Sequence, residues 1–451
     1  LFVAVPPIRL FDSFHRFQRG ITVFADRLQR LGTENAFKLG DHIARVQADG
    51  RMVVKLNMGE PDFDAPIHVA AEAKAQIDNG NGHYCPPAGL ESLRQAIARQ
   101  VSETRGLDVD FRRVVVHPGG KPSIAYTMLA YVNPGDEVIY PSPGFPIYES
   151  WVTFVGAKTV PMRLRESDFF AMTADNLAEL ITDKTKVIIL NSPANPTGGL
   201  IESKALAEMA EVVCEKAPAD VRVYSDEIYE NIIFDDLEHA SIASFPGMEE
   251  KTLVASGHSK TFAMTGWRLG YVVLPTVEEA EVFKNFNINT ISCTPPFVQE
   301  AGRVALESPE SAAVIAKMVS AFDERRKFVV QTLNEIPGIT CVMPKGAFYV
   351  FPNIAEACES IGAIEAFNNL SVEKQEKSSP STMLQMFALY KHGVATMDRP
   401  SFCRIGSEGE HYLRLSTAAD MEQLREGLSR LEAAVNDVDG FADFVAAGVP
   451  S

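Results

Sequence analysis

The chain has 451 residues, 46% hydrophobic and 22% charged, the composition of a folded globular protein too long for one ordinary domain. Its formal net charge is −17, from 42 Lys and Arg against 59 Asp and Glu. That excess of acid argues against non-specific nucleic-acid binding, and an anionic substrate must be caught by local cations against an unfavourable overall field.

In chain order, the opening LFVAVPPIRLFDSF is apolar but is broken by two prolines, Arg9 and Asp12. It lacks the basic start and small-residue cleavage site of a signal peptide and reads as an N-terminal arm packing on a neighbouring subunit or domain. No apolar run reaches the roughly 20 residues that a bilayer crossing needs, so no membrane association is expected. The six cysteines are scattered, with no C-x-x-C and no metal-like spacing to histidine. This predicts reduced thiols in a cytoplasmic protein, with neither a disulfide framework nor a bound metal.

VVVHPGG (114–120), DEVIYPSP (136–143), KVIILNSP (186–193), VRVYSDE (221–227) and TLVASGHS (252–259) each read as a buried strand ending in small or polar residues. Helical patterns such as SKALAEMAEVVCEKA (203–217) lie between them. The alternation predicts an α/β fold, a mostly parallel sheet with helices on both faces. Ligands of such sheets bind beyond the carboxyl ends of the strands, which here hold Gly119, Asn191, Asn195, Asp226 and Lys260. After about residue 320 the pattern changes. A long helix, AAVIAKMVSAFDERRKFVVQTLNEI, leads to the strand-like GAFYVFP, a polar stretch at 368–382, another helix, the strand YLRLS and a final amphipathic helix, MEQLREGLSRLEAAV. The polar stretch reads as an exposed loop or insertion. There is no internal repeat.

The most informative string is SGHSKTFAMTGWRLGY (256–271). A lysine preceded by small residues and followed by Gly266, Arg268, Gly270 and Tyr271 resembles the cofactor-lysine signature of the class I and II aminotransferases. A primary amine can condense with the aldehyde of pyridoxal 5′-phosphate (PLP) and later act as a proton-transfer base. The resemblance makes Lys260 that residue and Arg268 a bidentate ligand of the cofactor phosphate. SDEIYENIIF (225–234) and NSPANPTGG (191–199) are further matches. By the resemblance Asp226 faces the ring nitrogen, while Tyr229 and Asn195 bond the phenolic oxygen, Asn195 also lying near the substrate carboxylate. Gly120 and Lys121, with Ser123 as a further candidate, belong to the phosphate cup of HPGGKPS. Phe145, in SPGFPIYES, occupies the place of the aromatic that stacks on the ring.

For the substrate, Arg414 in YLRLS is where the family places the arginine that grips the α-carboxylate, and Gly59 in LNMGEPDFDAP approaches the substrate closely. Tyr84 in HYCPPAGLESLRQAIA matches the tyrosine that reaches the phosphate of the neighbouring subunit, which implies a homodimer with a shared site. Gly257 stands where many members have a phosphate-binding serine, a contact that Ser256 or Ser259 can supply instead. The implied fold is PLP fold type I: an N-terminal arm with part of the small domain (1–64), a large cofactor domain (65–320) and a small C-terminal domain (321–451).

The resemblance, closest to the aspartate-aminotransferase-like subgroup, implies transfer of an amino group from an L-amino acid to a 2-oxo acid such as 2-oxoglutarate by a ping-pong route. Aspartate is the default donor, with aromatic and neutral amino acids close behind. A dicarboxylic donor needs a second cation, for which Lys121, Arg163, Arg165, Arg399 and Arg404 are candidates. Arg404 is preferred because its glycine-containing loop is placed to fold over the site. The same cofactor serves elimination, decarboxylation or cyclisation, so a PLP-dependent lyase, decarboxylase or cyclase is the alternative. A ligand-sensing regulator on the same fold is more distant, because no DNA-binding unit precedes the matched region.

Overall fold

The computed structural model describes residues 23–32 and 34–449. The opening LFVAVPPIRLFDSF, read as an N-terminal arm, therefore lies outside the described residues. A short strand β1 (Val54–Lys55) precedes the seven strands of the central sheet. These are β2 (Val114–His117), β3 (Glu137–Ser142), β4 (Lys158–Arg163), β5 (Thr185–Asn191), β6 (Arg222–Asp226), β7 (Thr252–Gly257) and β8 (Gly270–Val273). Their spatial order is β2-β8-β7-β6-β5-β3-β4. Neighbours from β7 to β4 run parallel, and β8 lies antiparallel between β7 and β2. The fold is the mostly parallel α/β sheet expected from the alternating pattern.

The central strands form because their runs are apolar on both faces. Val138, Ile139, Val187, Ile188, Ile189 and Val223 are all fully buried, which only helices on both sides of the sheet can achieve. The helix Ser203–Lys216 supplies one such cover, burying Leu206, Met209, Ala210 and Val213 at three- and four-residue spacing. No helix among the described residues is long and apolar enough to cross a membrane.

The 26-residue helix Glu310–Glu335 leads into the C-terminal part. There β9 (Tyr349–Val350), β11 (Met397–Asp398) and β12 (Leu413–Ser416) form an antiparallel sheet in the order β11-β12-β9, and β10 (Val394–Ala395) pairs with β1. Two expectations change here. The polar stretch 368–382 is not simply a loop: Val372–Gln375 is helical, and the helix Pro380–Phe387 begins within it, capped by the Ser379 hydroxyl on the Thr382 N–H. Nor does the helix Met421–Asn436 end the fold. A further helix, Val438–Ala446, buries Phe441 and Phe444 against Phe387, an i, i+3 aromatic pair too short to register as a periodic pattern.

Candidate active site

The carboxyl ends of β2, β3, β5, β6 and β7 point to one side of the sheet, and the turns that follow them line a cavity of about 540 Å³. The C-terminal sheet supplies the opposite wall through Tyr349 and Arg414, and the segment after β1 adds Met58, Gly59 and Glu60. Of the residues singled out in the sequence, Gly59, Gly120, Lys121, Phe145, Asn195, Asp226, Tyr229, Ser259, Lys260, Arg268 and Arg414 all line this space.

Lys260 sits on the single helical turn His258–Thr261 that follows β7, and its Nζ donates to the Gly59 carbonyl oxygen at 2.5 Å. Burial, and secondarily the Arg414 charge, lower its pKa to about 8. A substantial fraction of the amine is then neutral and nucleophilic near physiological pH. Asp226 ends β6 and is partly buried in the cavity wall; desolvation there raises its pKa to about 6, although the Tyr148 hydroxyl at 2.6 Å and the Ile228 N–H both favour the charged form. Raising a carboxylate from its unfolded value of 3.8 means that the folded chain binds the extra proton. Stability is therefore lost as pH rises from 3.8 towards 6, by a cost on the order of 3 kcal/mol that a cation against Asp226 removes.

A second part of the cavity is built for an anion. Gly120 caps the N-terminus of the helix Lys121–Tyr131, where backbone N–H groups have no intrahelical acceptor. Arg268 adopts φ +56°, a left-handed conformation few non-glycine residues take, and donates to the Thr265 carbonyl at 2.6 Å. Its guanidinium lies against Gly119, itself at φ +84°, where any Cβ would collide with the guanidinium nitrogens. Of the two serines considered beside Gly257, Ser256 already donates to Glu230 Oε1 at 2.7 Å, whereas Ser259 lines the cavity without a side-chain bond among the described residues.

Arg414 lies on β12, where Leu413 and Leu415 are buried on the other face, and is only 4% exposed. Its guanidinium is held between the rings of Tyr349 and Phe402, at 4.6 and 4.8 Å from their centroids. It donates to Asn195 Oδ1 at 3.1 Å and to the Asn57 carbonyl, while its buried Nε has no partner among the described residues. Among the described residues no carboxylate pairs with it, so the cavity retains a buried cation there. The Tyr229 and Tyr349 hydroxyls meet at 2.7 Å, and burial holds both in the protonated form.

Several of these partnerships escaped the sequence reading, which named Asn191 only as a strand-end residue. Tyr148 stands one helical turn after Phe145 and buttresses Asp226. Asn191 fixes the turn after β5, accepting from the Asn195 N–H at 2.9 Å and donating to the Asp226 carbonyl at 3.1 Å. Behind the turn 226–230, buried Arg105 is bonded by Glu227 and Glu230, and His239 reaches Glu227 at 2.9 Å. Burial alone would raise the Glu227 carboxyl, but Arg105 and His239 outweigh it and hold Glu227 well below the usual carboxylate range. This ion network clamps the segment that carries Asp226 and Tyr229.

Two expected residues do not reach the cavity. Tyr84 is 90% exposed and is not among the residues that line this cavity. Arg404, preferred as the distal cation, lines a different cavity and donates to the Gln375 and Glu376 carbonyls, while its own N–H is bound by Glu149. The loop is anchored away from Lys260 by those bonds. Arg163, Arg165 and Arg399 are also absent from the lining, leaving Lys121 as the one member of that set within it.

Gly257 has a packing reason. It pairs with Gly270 across β7 and β8, and a Cβ there would stand 2.9 Å from both Gly270 Cα and the Leu269 carbonyl oxygen. Gly257→Ser is therefore expected to lower stability by about 1–3 kcal/mol, because backbone must move to admit it. A thermal melt of the variant equal to that of the parent protein would remove this explanation.

Comparison with known proteins agrees with this geometry. The family model for aminotransferase class I and II matches residues 51–431. An aspartate aminotransferase of Pyrococcus abyssi is 36% identical over 416 residues, covering 92% of this chain and 98% of the relative. An aromatic-amino-acid aminotransferase of Thermococcus litoralis is 33% identical over the same length, again covering 92% of this chain and 98% of the relative. The crystal structure of an aspartate aminotransferase from Rhizobium meliloti superposes with a TM-score of 0.82 at 30% identity, covering 93% of this chain and 99% of the other.

Proposed function

The chain belongs to the class I and II aminotransferase family, and from that premise we propose that Lys260 holds PLP covalently and that the donor is a dicarboxylic amino acid, with aromatic donors also accepted. The observation that carries the cofactor assignment is the pairing, in the lining of one cavity, of a partly buried lysine with a lowered pKa and a partly buried aspartate with a raised one. PLP supplies an aldehyde for amine exchange and a cationic ring that draws electrons from the substrate α-carbon.

The chain's own residues do the rest. Asp226 keeps the ring nitrogen protonated, and the contact removes the cost of burying its carboxylate. Arg268, Ser259 and the N–H groups at Gly120 and Lys121 bind the phosphate, Phe145 covers the ring, and Asn195 and Tyr229 donate to the phenolic oxygen. Arg414 binds the substrate α-carboxylate through its guanidinium, fixing which Cα bond faces Lys260. Lys260 Nζ then takes the proton from Cα. Gly59 lets the chain approach closely, since any Cβ there would strike the Tyr349 hydroxyl.

The distal cation is Lys121 rather than Arg404. The 90% exposure of Tyr84 supports its insertion beside the phosphate of a second copy, and hence a homodimer. The same reading divides the chain at residues 64 and 320 and places the protein in the cytoplasm. A panel of amino donors with 2-oxoglutarate tests the reaction: glutamate should form from aspartate and from an aromatic donor. Release of pyruvate and ammonia without glutamate would instead favour the lyase alternative.

A further inference from the structure

One carboxylate in the cavity has no part in that scheme. Glu34 immediately precedes the helix Asn35–Ala48, and its Oε2 accepts a hydrogen bond from Lys121 Nζ at 2.7 Å. Both side chains line the cavity, Glu34 being 24% exposed and Lys121 45%. Lys121 Nζ also lies 5.8 Å from the centroid of the Phe145 ring. The ammonium that a distal substrate carboxylate needs is thus already bonded to a carboxylate of the chain. Glu60 also lines the cavity, and there it accepts a hydrogen bond from the Thr265 hydroxyl. Glu34 is close enough to the reacting centre to favour the charged form of Lys260, against the larger effect of its burial.

We propose that Glu34 is a specificity-determining residue, an internal carboxylate that competes with the distal carboxylate of the substrate for Lys121. This rests on the reading of Lys121 as the distal cation. With an aromatic or aliphatic donor the Glu34–Lys121 pair stays closed, and its two opposite charges offset each other towards an apolar side chain beside Ile124 and Phe145. With a dicarboxylic donor, one carboxylate replaces another on the same ammonium. Glu34, already a quarter exposed, returns to water, where its desolvation cost is small. Because the exchange substitutes like for like, it penalises dicarboxylates only modestly. One cavity can then serve both substrate classes without a second arginine.

The test is the binding of two unreactive acids to the holoenzyme, followed by calorimetry: succinate for the dicarboxylic class and 3-phenylpropionate for the monocarboxylic. Glu34→Gln should tighten succinate by about 5-fold, the scale of a partly exposed ion pair, and shift 3-phenylpropionate by less than about 2-fold. Lys121→Ala should weaken succinate by about 10-fold and again spare 3-phenylpropionate. If Lys121→Ala leaves succinate unchanged, the distal-cation reading fails. If Lys121→Ala weakens succinate while Glu34→Gln leaves it unchanged or weakens it, Lys121 stands and the competition proposed for Glu34 is overturned.

Discussion

Replacing Lys260 by alanine is expected to lower the rate of amino-group transfer by at least about 10³-fold while leaving the fold intact. The lysine is asked to do two things, to hold the cofactor and to move the Cα proton, and loss of a positioned acid–base group alone costs about 10²–10⁴-fold. The structure indicates why no neighbour takes over. Apart from Lys260, the lysine in the cavity lining among the described residues is Lys121, which is bonded to Glu34. Stability should not fall, since a partly buried amine whose pKa is lowered to about 8 by desolvation is a cost to the folded chain that alanine removes. Addition of a small primary amine should restore part of the lost rate by supplying the missing base. A variant retaining more than a tenth of the parent kcat would sink the assignment of the proton transfer to Lys260.

Replacing Arg414 by leucine is expected to reduce kcat/KM by about 10²–10³-fold for every amino donor, dicarboxylic or aromatic alike. Truncating one partner of a buried charge pair costs about 2–5 kcal/mol, much of it from the carboxylate left unpaired. The loss should be general, because the α-carboxylate is common to all donors. Lys121→Ala, by contrast, should discriminate between the classes. Two secondary effects identify the contact. Asn195 loses the donor to its Oδ1, and the Lys260 amine, whose pKa Arg414 helps to lower, should titrate higher in the cofactor-free variant. Arg414→Lys should recover little, since an ammonium cannot reproduce the planar fork held between Tyr349 and Phe402. Equal kinetic parameters for Arg414→Leu and the parent with any donor would contradict this role.

Much of the site could be read from the sequence because the sheet itself organises it. Asn195, Asp226 and Lys260 each follow a buried apolar run, so the strand pattern that identified the fold also placed them on one edge. Arg268 follows Lys260 in the same string, and Arg414 interrupts the buried strand β12 with a charge that needs an anion. What could not be read depends on pairings with no local signature. Tyr148 meets Asp226 across 78 residues, Tyr229 meets Tyr349 across 120, Lys121 meets Glu34 across 87, and Arg105 meets Glu227 across 122. The preference for Arg404 erred in the same way. Its nearness to Arg414 in the chain suggested a shared site, but its loop is tied to Glu149, 255 residues earlier, and lines a separate cavity with it. Gly257 shows the converse. A departure from the resemblance that looked like a missing hydroxyl is explained by the close approach of two strands.

The central claim is that the Lys260 amine carries the cofactor. Borohydride reduction of the holoenzyme, followed by proteolysis and mass spectrometry, tests it directly. The account predicts one phosphopyridoxyl group per chain, on the peptide containing residues 256–271 and at Lys260. The label on any other lysine, or no label on a protein that still transaminates, would contradict it.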